Sequence, residues 1–224
     1  MQAGNARYRT AGDLPATVAV FPLSGALLLP GGRLPLNIFE PRYLELIDHA
    51  LAGNRLIGMI QPRLDGALKP DGEPELCDVG CLGRITSFAE TGDGRYLISL
   101  QGACRFRVAG ENHVRTPFRQ CAVTPFLADL DAEAGADDVD RAALLKAFRA
   151  YLKANDLDAD WESVSRAENA MLVNALSMMA PYGPAEKQAL LEAPDLKTRA
   201  ETLIAMTEIA LARENGEDFS SSLQ

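Results

Sequence analysis

Residues 21–51 read FPLSGALLLPGGRLPLNIFEPRYLELIDHAL. Pro22, Pro30 and Pro35 each fix φ and remove a backbone donor, so they mark strand ends and turns. Pro30-Gly31-Gly32-Arg33 looks superficially like a glycine-rich phosphate loop. The next residues, Leu34–Phe39, read as a strand, and the helix N-terminus that would hold a phosphate is missing. The four residues are therefore a tight turn. Pro41 suits the first turn of a helix that carries Leu44, Ile47, His49 and Leu51, with Gly53 as its stop. Phe39 stands where a hydrophobic staple would pack, and Glu40 sits at the positive end of the helix dipole. Arg42 and Tyr43 fall in the first turn. The stretch reads as a strand–helix corner. Most of its positions are apolar or proline and report packing; Glu40 and Arg42 are the exceptions, able to face a partner or to tie the corner together.

Outward from this corner, short apolar or alternating runs recur at Thr17–Leu23, Leu56–Gln61, Gly83–Glu90, Tyr96–Gln101, Arg105–Gly110 and Gln120–Phe126. Asp93-Gly94, between two of these runs, is a hairpin signal. Many short strands with one embedded helix predict a small, partly closed barrel over residues 1–126. Residues 127–140, mostly DLDAEAGADDVD, are acidic and without hydrophobic period, and read as an exposed linker or a frayed helix start. Residues 141–216 read as helices: Ala142–Leu152, Val164–Met179, Pro184–Leu191, and a longer one capped by Asp195 and running through Ala212. Residues 217–224 read as a loose polar tail. The expected class is α+β, a barrel followed by a helical bundle.

Charge divides the same way. Of the net −9, residues 1–126 carry +1 and residues 127–224 carry −10. A chain this acidic is a poor generic binder of nucleic acid, because that affinity rests on Lys and Arg meeting phosphates. The composition, 47% hydrophobic and 24% charged over 224 residues, is that of a globular protein. No apolar run reaches the length of a membrane span, and the N-terminus lacks the apolar core of a secretory signal, so the cytoplasm is the expected location and no membrane partner is expected.

Motifs for chemistry are sparse. There is no G-x-S-x-G, no S-x-x-K, no phosphate loop and no G-x-G-x-x-G. The two histidines, His49 and His113, read as surface or helix-end residues. Cys77 and Cys81 are separated by three residues, but Cys104 and Cys121 fall in or beside strands, so four buried thiols are expected rather than a zinc site. The carboxylates of residues 129–160 read as a solvated face. Arg105 and Arg107 alternate on one predicted strand, where they either line a polar groove or form its solvent side. No catalytic residue, metal or cofactor is expected.

The opening stretch closely resembles the N-terminal, substrate-binding domain of Lon proteases. The family pattern F-P-L-x-x-x-x-L-x-P-x-x-x-L-P-L-x-I-F-E-x-R-Y is met by Phe21, Pro22, Leu23, Leu28, Pro30, Leu34, Pro35, Leu36, Ile38, Phe39, Glu40, Arg42 and Tyr43. Later stretches fit as well, notably Val79-Gly80, Gly83-Arg84-Ile85 and Gly102-Ala103-Cys104-Arg105-Phe106, and the helical part fits more loosely at Leu176-Ser177-Met178 and Pro184–Glu192. The resemblance implies a PUA-like β-pseudobarrel followed by a helical bundle. It implies a non-enzymatic module that recognises unfolded or extended polypeptides, or an adaptor working with a separate protease or chaperone. A full-length Lon protease continues into an ATPase module and a Ser-Lys protease domain; 224 residues leave no room for either, so a stand-alone bacterial Lon-domain protein is expected. Phe39, Glu40, Arg42, Tyr43, Arg105 and Arg107 are the candidate peptide- or partner-binding residues. The rival reading is RNA or nucleotide binding through the barrel and its arginines. The oligomeric state is left open.

Overall fold

The structure, a computed structural model, describes residues 1–131 and 134–221, with side chains through Arg213. A short N-terminal hairpin, β1 (Gln2–Ala3) and β2 (Ala6–Arg7), precedes the main sheet of β3 (Thr17–Pro22), β4 (Arg33–Ile38), β5 (Leu56–Ile60), β6 (Val79–Glu90), β7 (Tyr96–Glu111) and β8 (Gln120–Pro125). Helix α1 (Pro41–Ala52) crosses between β4 and β5. The later helices are α2 (Arg141–Ala154), α3 (Trp161–Arg166), α4 (Asn169–Met179), α5 (Pro184–Glu192) and α6 (Leu196–Ser221). The class is α+β, as expected from the sequence.

The sheet runs β4-β7-β6-β5-β3-β8, and β8 pairs back onto β7, so five strands close into a ring. Closure removes edges that would otherwise offer unpaired backbone. The long β7 makes it possible: its first half pairs with β4 and β6, its second half with β6 and β8. The sequence suggests two runs here, Tyr96–Gln101 and Arg105–Gly110; they are one strand with Gly102 inside it. The ring is filled by Val18, Val20, Leu82, Cys104, Phe106 and Cys121, all buried. A second core lies outside it, where α1 and α2–α6 cover the sheet; Leu28, Leu29, Ile47, Leu100, Val173 and Leu190 meet there.

One edge stays open. Among the described residues β4 pairs only with β7. The Gly102 N–H donates to the Gly32 carbonyl at 2.9 Å, and Arg33 stands opposite Gln101. This fixes the phase of the antiparallel ladder, so Leu34, Leu36 and Ile38 bond to β7 while Arg33, Pro35 and Asn37 turn their backbone groups outward. Pro35 thus occupies the middle of the open edge and removes its central donor. The turn before β4 is as tight as the Pro-Gly-Gly sequence suggests. Gly31 has φ +77°, and a Cβ on Gly102 would come within 2.1 Å of the Leu29 carbonyl oxygen.

The helical half departs from the sequence reading in three places. Val164–Met179 is two helices, because Arg141 takes the carbonyls of Val164, Ser165 and Ala167 and ends α3 there. Helix α6 continues past Ala212 to Ser221. The segment expected as an exposed linker forms 3-10 turns at Leu127–Leu130 and Ala136–Asp138, with Leu130 and Val139 buried. The tail expected over 217–224 falls partly on 222–224, which lie outside the described residues.

The two halves meet through polar groups as well as apolar ones. Gln61 on the β side accepts from Gly25 N–H at 2.8 Å and donates to Pro184 O and Gln188 Oε1, each at 3.0 Å. Asn174 on α4 donates to Pro30 O at 3.0 Å and accepts from Arg199 Nη1 at 3.0 Å. Arg199 also donates to Leu190 O. Burial, then the nearby Arg105 charge, pushes the Arg199 guanidinium down to about 10.

Candidate functional site

The corner that opens the sequence motif also opens a groove. Its floor is Tyr43, from the first turn of α1, with Pro22 and Phe118. One wall is the β5–β6 loop, carrying Lys69, Glu73 and Pro74; the other is Glu111 at the end of β7 and the β7–β8 loop with His113 and Arg119. The cavity volume is about 590 Å³, enough for several residues of extended chain. Tyr43 is buried and packs at a tilt against Phe21, ring centroids 4.1 Å apart; burial pushes its hydroxyl pKa up. A neutral, amphipathic ring therefore lies at the floor.

The charges around the groove neutralise one another. Arg42 reaches Glu40 at 3.1 Å and Glu73 at 3.5 Å, and its guanidinium carbon lies 4.7 Å from the centre of the Tyr43 ring. Arg119 makes a two-pronged contact with Glu111, Nε to Oε1 at 2.8 Å and Nη2 to Oε2 at 2.7 Å. Lys69 donates to the same Oε1 at 3.2 Å. The Arg119 fork, helped by Lys69, holds the Glu111 carboxyl below the usual carboxylate range. Exposed apolar side chains stand on both loops, Leu64 and Leu68 on one and Val114 on the other.

The six residues singled out by sequence fare differently. Glu40, Arg42 and Tyr43 come together at the groove, with Arg42 and Tyr43 lining it. Phe39 is 61% exposed and does not staple the helix: its ring stands in solvent while Leu44 packs on the core. Arg107 is exposed, its guanidinium carbon 5.7 Å from the centre of the Phe126 ring.

Arg105 requires a correction. It shares Arg107's strand face, but it is 3% exposed because the helical half covers it. Its Nη2 and Nε bond to Asp129 at 2.8 and 2.9 Å, and Nη1 donates to Leu191 O and Ala193 O at the end of α5. Burial works against its charge, but the Asp129 carboxylate outweighs that and keeps its pKa raised. Arg105 is a seam residue with no surface to offer, and the nucleic-acid reading loses one of the two arginines it relied on. Asp129, expected on a solvated acidic face, is its buried counter-ion.

His49 is exposed, with its ring 5.3 Å from that of Phe118, and His113 is exposed at the groove. All four cysteines are free and buried. Burial pushes the Cys104 thiol up to about 12 and Cys121 to about 11, so they are neutral packing groups. Among the described residues no His, Cys, Asp and Glu group is clustered as a metal would need, and no helix is long and apolar enough to cross a membrane. The groove residues that sequence reasoning missed are Lys69, Glu73, Glu111, Phe118 and Arg119. Their loops carry no periodicity, and only the closed ring brings them together.

An α+β domain with an open, charge-neutralised groove between two loops has the shape of a binding module. Residues 17–208 match the ATP-dependent protease La (LON) substrate-binding domain, and the chain belongs to that family. It is 26% identical to Lon protease 2 of Myxococcus xanthus over 197 residues, covering 87% of this chain and 24% of that protein. It is 36% identical to the Lon protease of Desulfosudis oleivorans over 115 residues, 50% of this chain and 14% of that protein. The chain therefore spans at most about a quarter of the length of these two relatives. A Lon N-terminal domain protein from Xanthomonas campestris superposes with a TM-score of 0.61 at 25% identity, over 84% of this chain and 97% of that one. The N-terminal domain of the Mycobacterium avium complex Lon protease shares the fold, with a TM-score of 0.63 at 20% identity over 86% and 98%.

Proposed function

We propose that this protein is a non-enzymatic module that binds unfolded or extended polypeptide segments in the groove floored by Tyr43 and Phe118. The observation that carries this reading is the pairing of the groove cations Arg42, Lys69 and Arg119 with groove carboxylates over an apolar floor. Such a groove has no net attraction for a phosphate chain, and it suits a segment whose own polar groups are mostly backbone amides. Glu40, Arg42 and Tyr43 are its contact residues on the α1 side. Phe39, exposed next to Glu40, extends the apolar surface, and Arg107 belongs to a separate patch. Membership of the Lon substrate-binding family supports the reading. It also supports an adaptor role beside a separate protease or chaperone in the cytoplasm.

The closed five-stranded ring supports a PUA-like pseudobarrel over residues 1–126, with residues 141–216 as a helical bundle and 127–140 as the segment that joins them. The open β4 edge is a poorer polypeptide site than the groove, because Pro35 interrupts its donors. Fluorescence anisotropy of a fluorescein-labelled, reduced and carboxymethylated protein tests the proposal. Saturable binding, weakened when Tyr43 is changed to Ser, is expected. Absence of saturation at tens of micromolar would overturn it, as would release of the probe only by added RNA.

A further inference from the structure

The β5–β6 loop forms one wall of the groove, yet it has almost no apolar anchoring. No residue from Arg63 to Leu76 is fully buried: Leu76, at the loop's end, packs partly on the ring core, while Leu64 and Leu68 are exposed. Its internal order is a small hairpin, with Arg63 N–H to Glu75 O at 2.8 Å, Lys69 N–H to Glu73 O at 2.8 Å and Glu75 N–H to Ala67 O at 2.9 Å. Those bonds shape the loop but do not place it against the rest of the molecule. Segments with few buried contacts open locally at low cost. Where this loop sits is therefore set by what ties it down.

The ties converge on one carboxylate and one guanidinium. Arg119, just before β8, grips Glu111 at the end of β7 with two parallel bonds. Its third nitrogen, Nη1, crosses to the loop and donates to Pro74 O at 2.7 Å. Lys69 comes from the loop in the opposite direction and donates to Glu111 at 3.2 Å. The Arg119 side chain is only 12% exposed, against 48% for Arg63 in the loop's own ion pair with Asp65. A partly buried fork keeps its geometry, whereas an exposed pair does not. Arg42 to Glu73, at 3.5 Å, adds a looser tie from α1.

We propose that Arg119, with Glu111 and Lys69, is the positioning element of the groove: it holds the β5–β6 loop at a fixed distance from the β7–β8 loop so that the site is preorganised. Arg119 acts through the loop and need not touch the bound chain. The inference rests on the groove being the polypeptide site proposed above. Its energetic sense is general: a wall fixed before binding does not have to be ordered during it.

The full chain is compared as wild type, Arg119→Gln and Arg119→Lys, with Lys69→Gln as the milder variant should Arg119→Gln fold poorly. Two readouts are taken, affinity for the labelled unfolded protein and amide hydrogen exchange. Arg119→Gln is expected to weaken binding roughly tenfold, the loss of about one charged hydrogen bond's worth of preorganisation. Exchange should quicken at the Arg63, Lys69 and Glu75 amides and stay unchanged in β3 and β5. Arg119→Lys, which keeps the charge and one donor, should recover part of the affinity. Binding as tight as wild type in Arg119→Gln, or loop exchange unchanged in it, would overturn the proposal. If wild type itself shows no saturable binding, the polypeptide reading fails; the exchange arm then decides alone whether Arg119 holds the loop.

Discussion

Arg105 and Arg119 both precede or lie in strands of the same ring, and both grip a carboxylate with a guanidinium fork. The first is closed inside the seam between the sheet and the helices, 3% exposed, and joins β7, the Leu127–Leu130 turn and the end of α5. The second lies at the groove, partly wet, and joins two loops. The same chemistry thus holds the architecture in one place and a binding surface in the other. Burial decides which: a covered pair is expensive to break because the abandoned charge stays in a dry site. A pair at a rim can open to water, so its loss is felt in loop position more than in global stability.

The largest effect should come from breaking the seam. Asp129→Ala leaves Arg105 buried without its counter-ion and should cost about 3–5 kcal/mol, read by urea unfolding. Asp129→Asn, which keeps one acceptor, should cost less. Gly102→Ala comes next. Its new Cβ would meet the Leu29 carbonyl, which is backbone and cannot rotate away, so about 1–3 kcal/mol is expected in the same assay. If Asp129→Ala cost no more than Arg119→Gln, the contrast between seam and groove would collapse.

A smaller effect sharpens the groove side. The Arg119 fork holds the Glu111 carboxyl below its ordinary value of 4.5. A depressed folded-state pKa gives stability that is present above the unfolded value and lost as pH falls through the folded one. The stability gap between wild type and Glu111→Gln should therefore be widest near neutral pH and should narrow below about pH 4.5. A gap that does not change with pH would mean the charge on Glu111 is not what stabilises the loops. The smallest effect concerns the open edge. Pro35→Thr restores the central outward donor of β4, and sedimentation velocity should show self-association at high concentration where wild type shows none. Stability itself should move little.

Much of this was legible in the sequence where local rules apply. The Pro-Gly-Gly turn, the helix opened by Pro41 and stopped at Gly53, and the Asp93-Gly94 hairpin all lie where propensity and turn chemistry place them. The sequence motif led to Arg42 and Tyr43, and both line the groove. The parts that were not legible depend on distant partners. Period-2 alternation put Arg105 and Arg107 on one face, correctly, but could not say that helix α5 covers only the first. The acidic run around residue 129 looked solvated because no local feature distinguishes Asp129 from its neighbours; its partner is 24 residues away. Arg141, which splits one expected helix into two, acts on carbonyls 23 to 26 residues further along. The β5–β6 loop has no period and little burial, and its wall of the groove exists only because Lys69, Glu73 and Pro74 meet Glu111 of β7, Arg42 of α1 and Arg119 before β8.

The most direct test of the groove is a hydrogen-exchange footprint of the wild-type chain with and without the reduced, carboxymethylated protein. Protection is expected at the first turn of α1, at residues 62–76 and at residues 112–119, with α2–α6 unchanged. Protection confined to the helical half, or along β4 alone, would contradict the assignment of the groove as the polypeptide site.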